Sequence, residues 1–243
     1  MARKKGKLTI GILFMILVLL IAVAAGQTIF SHEGSLTKGE KTILFCAVDE
    51  GEPREGMGAI DMAYLITLED GSVKNFSPVY PHGMRHPTED EPTDALNTGA
   101  RNNAGKMLLH DALWYNDTSE GLENVKEIVE YNLSIKLDAI VLANVEAVDA
   151  LVKSAGPLQI NGTPVVVNVL DFVRDDQSEN NVSRGDAVMT VVQGMVIAAH
   201  EPDTRNQMMK MALIQYNKGN IVVWPEGAFM QLLYTKGIHA LLN

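Results

Sequence analysis

The apolar pattern begins with a run that carries no charge, Leu8 to Ala25, directly preceded by Arg3, Lys4, Lys5 and Lys7. Such a run meets the length of a transmembrane helix, since about 18 residues at about 1.5 Å rise span about 27 Å, enough for a thin hydrocarbon core. A charged side chain costs roughly 2.5 to 3.5 kcal/mol at the bilayer centre, and the first acidic residue of the chain is Glu33. The basic cluster is expected to stay in the cytoplasm, which puts the C-terminal part outside. A cleaved signal peptide is the alternative, and Ala22, Val23 and Ala24 would suit its cleavage site. The run is long for a signal peptide's apolar core of about 7 to 15 residues. Residues 1–7 thus read as a cytoplasmic basic tail, 8–25 as the anchor, 26–41 as a tether, and 42–243 as one extracytoplasmic domain.

In that domain, Thr42 to Val48 predicts a buried strand. The loop 50–58 follows, with Gly51, Gly56, Gly58 and Pro53 among four charged residues. Asp61 to Leu68 and Val73 to Val79 flank Glu69-Asp70-Gly71-Ser72 and predict a hairpin. Pro81 to Gly105 shows no apolar periodicity and reads as a long functional or mobile loop. Ser119 is the expected cap of a helix reaching about Leu133, with Leu122, Val125, Ile128 and Val129 on one face. Asp138 to Leu142 predicts a strand. Asn144 is the expected cap of a helix over 145–155, stopped by Gly156 and Pro157.

The segments 158–160 and 164–167 flank Asn161-Gly162, a hairpin signal. Ser183 is the expected cap of a helix from Arg184 to Ala199, with Asp186 in its first turn. Further helices are expected from Asp203 to Asn217 and from Pro225 to about Gly237, with the strand Ile221–Trp224 between them. Met208, Met209 and Met211 read as core filling. Interleaved strands and helices indicate an α/β layered domain with a central mixed sheet flanked by helices.

Charge narrows the partners. The chain carries 20 basic and 30 acidic residues. Four of the basic ones precede the apolar run, so the exported part has 16 against 30, or −14 by this count. Such a surface repels nucleic acid at long range. A phosphorylated ligand would need a local basic pocket. Cys46, the single cysteine, excludes an internal disulfide and reads as a small core hydrophobe. Asn75, Asn116, Asn132, Asn161 and Asn181 begin Asn-x-Ser/Thr sequons, two of them followed directly by Pro78 and Pro164.

Candidate chemistry sits at strand ends. Asp49 closes the first strand and Asp61 opens the second, so paired strands would aim both carboxylates at one crevice. They read either as a seat for Mg²⁺, which uses one or two carboxylates plus substrate phosphates, or as solvated turn aspartates. Arg174 and Arg184 bracket the polar segment 175–183. They read either as two forks on a diphosphate or as partners of Asp175, Asp176, Glu179 and Asp186. His82, His86 and His110 offer a weak zinc spacing. His110-Asp111 reads as packing and turn chemistry. Walker, nucleophile-elbow and His-Glu-x-x-His motifs do not occur.

These residues also carry a family likeness. The basic anchor, Ile43-Leu44-Phe45-Cys46-Ala47-Val48-Asp49 and Gly58-Ala59-Ile60-Asp61-Met62-Ala63 resemble the start of a LytR-CpsA-Psr domain. Phe172-Val173-Arg174-Asp175 and Ser183-Arg184, with Gln193 in the helix that follows, resemble that family's arginine-bearing segment. The run from Ser119 to Ala155-Gly156-Pro157 resembles its middle portion. Overall the chain resembles a domain-of-unknown-function group of archaeal envelope proteins related to that fold, with Ser77-Pro78-Val79-Tyr80-Pro81 among its typical segments. The likeness covers about residues 40 to 240 by the order of matched elements.

The resemblance implies an envelope protein that binds or transfers a glycan linked to polyprenyl diphosphate. It implies that Asp49 and Asp61 hold Mg²⁺ while Arg174 and Arg184 grip the diphosphate. Two departures stand out. Ala59-Ile60 replaces an Arg-bearing strand start, and Val79-Tyr80-Pro81-His82 replaces a Pro-Arg-Asp stretch. Tyr80 and His82, with Arg54, Arg85 and Arg101 as substitute arginines, are therefore the remaining candidates for substrate contact. Two missing arginines remove up to four charge-assisted contacts of roughly 1.5 to 3 kcal/mol each. The second function class is accordingly a non-catalytic envelope scaffold or partner-binding module.

Overall fold

A computed structural model describes residues 39–52, 54–69, 72–92, 105–160, 162–165 and 184–226. Strands β1 (Glu40–Asp49), β2 (Ala59–Glu69) and β3 (Ser72–Val79) form an antiparallel meander. Strand β4 (Arg85–Asp90) pairs with β5 (Lys106–Leu108) outside the main sheet. Helix α1 (Thr118–Leu133), strand β6 (Ala139–Asn144) and helix α2 (Val145–Ser154) follow, then the hairpin β7 (Leu158–Ile160) and β8 (Thr163–Val165). Helices α3 (Arg184–Ala199) and α4 (Pro202–Asn217) lead to β9 (Ile221–Trp224).

The main sheet has the order β3-β2-β1-β6-β9. β1 and β6 run parallel, and the other pairs are antiparallel, so the sheet is mixed as expected. Parallel neighbours require a crossover and cover on both faces, and here α1 supplies the crossover. On one face Ile43, Phe45, Tyr64, Ile66 and Val141 pack with Leu151 and Val152 of α2, Val191 and Met195 of α3, and Met208 and Met209 of α4. On the other face Leu44, Cys46, Ile60 and Leu142 pack with Val125, Ile128 and Val129 of α1 and with Leu109 and Leu113. The alternation in β1 therefore feeds two cores, and every residue of β6 is buried. Complete burial of Cys46 pushes its thiol pKa up, because the charged thiolate would lose its water.

Several expectations need correction. Asp117, not Ser119, caps α1, and its carboxylate accepts from the N–H groups of Ser119 at 2.9 Å and Glu120 at 3.2 Å. The carboxylate reaches two orphan donors of the first turn where the Ser hydroxyl would satisfy one. The segment from Pro81 is not all loop. It holds the 3-10 turn Pro81–Gly83 and then β4. Its pairing with β5 rests on backbone bonds between residues whose side chains are mostly exposed, so the apolar pattern is silent there.

The Asn144 cap holds, with its Oδ1 accepting from Ala147 N–H at 2.9 Å. Past α2, Gly156 adopts a left-handed φ of 73°, the conformation that glycine permits at a helix end. The anchor at 8–25, Asn161, the expected cap Ser183 and the expected helix after Pro225 lie wholly or nearly so outside the described residues. Among the described residues no helix is long and apolar enough to cross a membrane.

Candidate functional site

β1 and β6 both end, in the chain direction, at the same edge of the sheet, and α2 begins there. This is the edge where α/β sheets place ligands. The register of β1 with β2 runs from Glu40 opposite Glu69 to Ala47 opposite Met62, then resumes with Val48 opposite Ile60. Asp61 is the residue skipped. A bulge leaves its extra residue unpaired and re-aims its side chain, and Asp61 there comes close to His110 and to Glu52 of the loop after β1.

The Asp61 carboxylate, half-buried, stands 3.8 Å from His110 Nε2. The Glu52 carboxylate, from the loop after β1, stands 3.6 Å from the same nitrogen. One ligand atom from each of Glu52, Asp61 and His110 lies within 4.8 Å of the others, the one such group among the described residues. His110 comes from the 3-10 turn Leu109–Asp111, and its side chain is 7% exposed. Its Nδ1 is 3.0 Å from Asp111 Oδ1. Because a carboxylate only accepts, Nδ1 carries the proton and donates to Asp111. Nε2 then faces Glu52 and Asp61.

Arg54 braces this cluster from behind. Its Nη2 donates to Asp111 at 2.7 Å and to Glu52 at 3.0 Å. Its guanidinium carbon lies 4.5 Å from the centre of the Trp114 ring, a cation–π distance. Arg54 Nη2 also lies 3.3 Å from His110 Nδ1, a proximity of two donors bridged by the same carboxylate. The loop docks through Gly56, whose N–H donates to the Trp114 carbonyl at 3.0 Å. A Cβ at Gly56 would fall 2.2 Å from the Leu113 carbonyl oxygen and 2.3 Å from that of Tyr115, so glycine is required there.

The expected site residues fall into four sets. Asp61 is in the cluster. Asp49 ends β1 opposite Ala59, and its Oδ1 accepts from Gly51 N–H at 2.7 Å in a local turn. It is not one of the three grouped ligands. Of the substitute arginines, Arg54 reaches the cluster, but its side chain is 8% exposed and committed to acids. Arg85 is exposed and its Nη1 donates to the Lys106 carbonyl at 2.6 Å, tying β4 to β5.

His82 stands beside the cluster, and Tyr80 precedes it by two positions. Tyr80 is 73% exposed. The exposed His82 ring lies 4.4 Å from the His110 ring at a tilt of 31°. His86 is spent elsewhere: its Nδ1 accepts from Glu89 N–H at 2.9 Å and its Nε2 faces Glu127 at 3.2 Å. Arg174 and Arg101 lie outside the described residues. So does the side chain of Arg184, whose backbone opens α3.

Glu52 and Trp114 were not singled out by the residue pattern, and Asp111 was read with His110 only as packing and turn chemistry. One signal did exist. His110-Asp111 interrupts an otherwise apolar stretch, Met107 to Trp114, and polar groups in such a stretch are buried only with partners. Nothing local identifies the partner as Arg54, which precedes Asp111 by 57 positions.

Residues 38–178, more than half of the chain, match the DUF4012 family, a protein family of unknown function. The chain belongs to the DUF4012 family. No curated protein matches it. Among solved structures, it is similar to protein gbs0355 of Streptococcus agalactiae, with 16% identity, a TM-score of 0.55, and coverage of 87% of this chain and 77% of that one. TagV of Bacillus subtilis is similar at 15% identity and a TM-score of 0.48, covering 82% of this chain and 81% of that one. TagU of the same organism stands at 13% and 0.46, covering 80% of each chain. TagU and TagV are LytR-CpsA-Psr proteins. At these identities the likeness to gbs0355 shows a shared fold.

Proposed function

We propose that this DUF4012 protein is anchored by residues 8–25 and uses the β1–β2 edge to bind a phosphate-linked envelope glycan outside the membrane, with polyprenyl diphosphate as the carrier. The observation that carries the reading is the placement of Asp61 on a bulge, aimed with Glu52 at the buried His110. An acidic edge holds phosphate only through a cation. The donor set fits one: Asp61 is 33% and Glu52 42% exposed, so both keep oxygens open to a ligand. Mg²⁺, which the family resemblance implies, would be held by Asp61, with Asp49 one strand position beyond on the neighbouring β1. A bound divalent ion supplies charge neutralisation for a diphosphate.

The chain's own residues supply the rest. His110, fixed by Asp111, presents one nitrogen in one orientation. His82 beside the cluster, and Tyr80 two positions before it, would offer rings and polar atoms to a sugar or phosphate oxygen. Arg184 sits at the N-terminal turn of α3, where helix N–H groups also favour an anion, and Arg174 precedes it by ten positions. If transfer occurs, Arg174 and Arg184 stabilise charge on the phosphate during displacement. The test is binding of a polyprenyl diphosphate analogue to the full chain in detergent, with divalent cation and with chelator. Binding that requires cation and is lost in the Asp49→Ala, Arg184→Ala double variant supports the reading. Equal binding by the double variant removes it.

One observation favours the second reading, a binding module without catalysis. Arg54, the described arginine that reaches the cluster, is buried as a brace, and Arg85 is tied to a backbone carbonyl. Among the described residues, an edge poor in open guanidinium groups suits retention of a ligand or partner more than phosphoryl transfer. Ligand binding without release of monophosphate over time distinguishes it from the transferase.

A further inference from the structure

We propose that Glu52, Asp61 and His110 form a mixed oxygen–nitrogen site for a divalent transition-metal ion of the Mn²⁺ and Zn²⁺ class, which the site prefers to Mg²⁺. The inference takes from the functional reading only the location of the site and holds whether or not a phosphate binds there.

The first support is the state of His110 Nε2. The proton sits on Nδ1, bonded to Asp111 at 3.0 Å. Nε2 is the ring nitrogen left to the carboxylates, which it faces at 3.6 and 3.8 Å. Two carboxylates and one ring nitrogen thus converge at a side chain 93% removed from solvent, a mixed donor set suited to a cation. The second support is spacing. Two ligands about 2.1 Å from a tetrahedral ion stand about 3.4 Å apart. The observed separations are too long for hydrogen bonds and close to that span.

The third support lies behind the ring. A metal-ligating histidine regularly donates its other N–H to a carboxylate, which fixes tautomer and ring orientation. Asp111 is such a partner, and Arg54 pairs with its buried carboxylate at 2.7 Å. The choice of metal follows from the donors. Mg²⁺ seeks oxygen and water, whereas imidazole beside carboxylates suits Mn²⁺ and Zn²⁺.

Titration of the full chain in detergent with Mn²⁺, read by electron paramagnetic resonance, tests this with no substrate present. The expected result is one bound Mn²⁺ per chain with nitrogen coupling in the pulsed spectrum. Stoichiometric Zn²⁺ displaces it, whereas Mg²⁺ does so only in large excess. His110→Gln abolishes the nitrogen coupling and weakens binding at least about tenfold, and Asp111→Asn weakens it about 10- to 100-fold with the coupling retained. Asp61→Asn, at a half-exposed position, serves if His110→Gln unfolds, and also weakens Mn²⁺ at least about tenfold. No binding by the wild type, equal competition by Mg²⁺, or binding without nitrogen coupling overturns the proposal. A chain that binds Mn²⁺ in this way but no diphosphate analogue sinks the functional reading alone.

Discussion

Arg54 and Asp111 meet at 2.7 Å with their side chains 8% and 4% exposed. One residue comes from a glycine-rich loop and the other from a 3-10 turn, so the pair clamps the loop after β1 onto the segment before α1. It also orders the cluster, because Arg54 holds Glu52 while Asp111 holds His110. A buried pair contributes little net stability over apolar replacements, but removing one partner leaves an uncompensated charge. Arg54→Ala is expected to lower unfolding free energy by about 3 kcal/mol, the low end for a broken buried pair, since His110 still donates to Asp111. Urea denaturation with an unchanged m-value checks it.

Gly56 makes the same docking backbone-to-backbone. A methyl group there meets carbonyl oxygens of Leu113 and Tyr115, which belong to the main chain and cannot swing aside. Gly56→Ala is expected to cost about 1–3 kcal/mol, as for overpacking, and to weaken cation binding by displacing Glu52. Gly83→Ala is the control, since nothing lies within 4 Å of its added methyl group, and a change within about 0.5 kcal/mol is expected.

Asn144 links the site edge to the far strand. Its Nδ2 donates to Glu50 at 2.8 Å and to Asn220 Oδ1 at 3.0 Å, while its Oδ1 caps α2. Asn220 in turn donates to buried Gln215 at 2.7 Å. Asn144→Ala removes the cap and orphans this network, for an expected loss of about 2 kcal/mol. Asn144→Ser keeps the cap alone and is expected to fall midway in thermal or urea unfolding.

The raised pKa of Cys46 fixes a direction for alkaline stability. Above the ordinary thiol value, the unfolded chain has released a proton that the folded chain still holds. Stability therefore falls as pH rises through that value. At about pH 10 this term reaches up to about 2 kcal/mol, from roughly 1.4 kcal/mol per pH unit above about 8.5. The fall between about pH 8 and 10 should shrink in Cys46→Ala, measured against its own stability at neutral pH. Native chain should also resist thiol alkylation until denatured.

The fold was legible where burial is periodic or capping is local. The apolar runs of β1 and β6, the hairpin of β2 and β3, and the Asn144 cap all declare themselves within a few residues. The β4–β5 pair did not, because Arg85–Asp90 presents mainly charged and exposed side chains and is recruited by a distant short strand. The site was half legible. Asp61 was visible as a strand-start acid, but the bulge that turns it depends on the register with β1. His110 was visible as one of three spaced histidines, yet its role is set by Arg54 and Glu52, brought in by a loop whose docking rests on Gly56.

The central claim is that a cation at Asp61 and a diphosphate share one edge of the sheet. It is tested most directly by phosphorus-31 relaxation of a polyprenyl diphosphate analogue bound to the full chain in detergent, loaded with Mn²⁺. The expected result is strong broadening of both phosphorus signals in the wild type, lost in Asp61→Asn at the same Mn²⁺ concentration. An analogue that binds with its phosphorus signals untouched by Mn²⁺, or one broadened equally with Asp61→Asn, would contradict it.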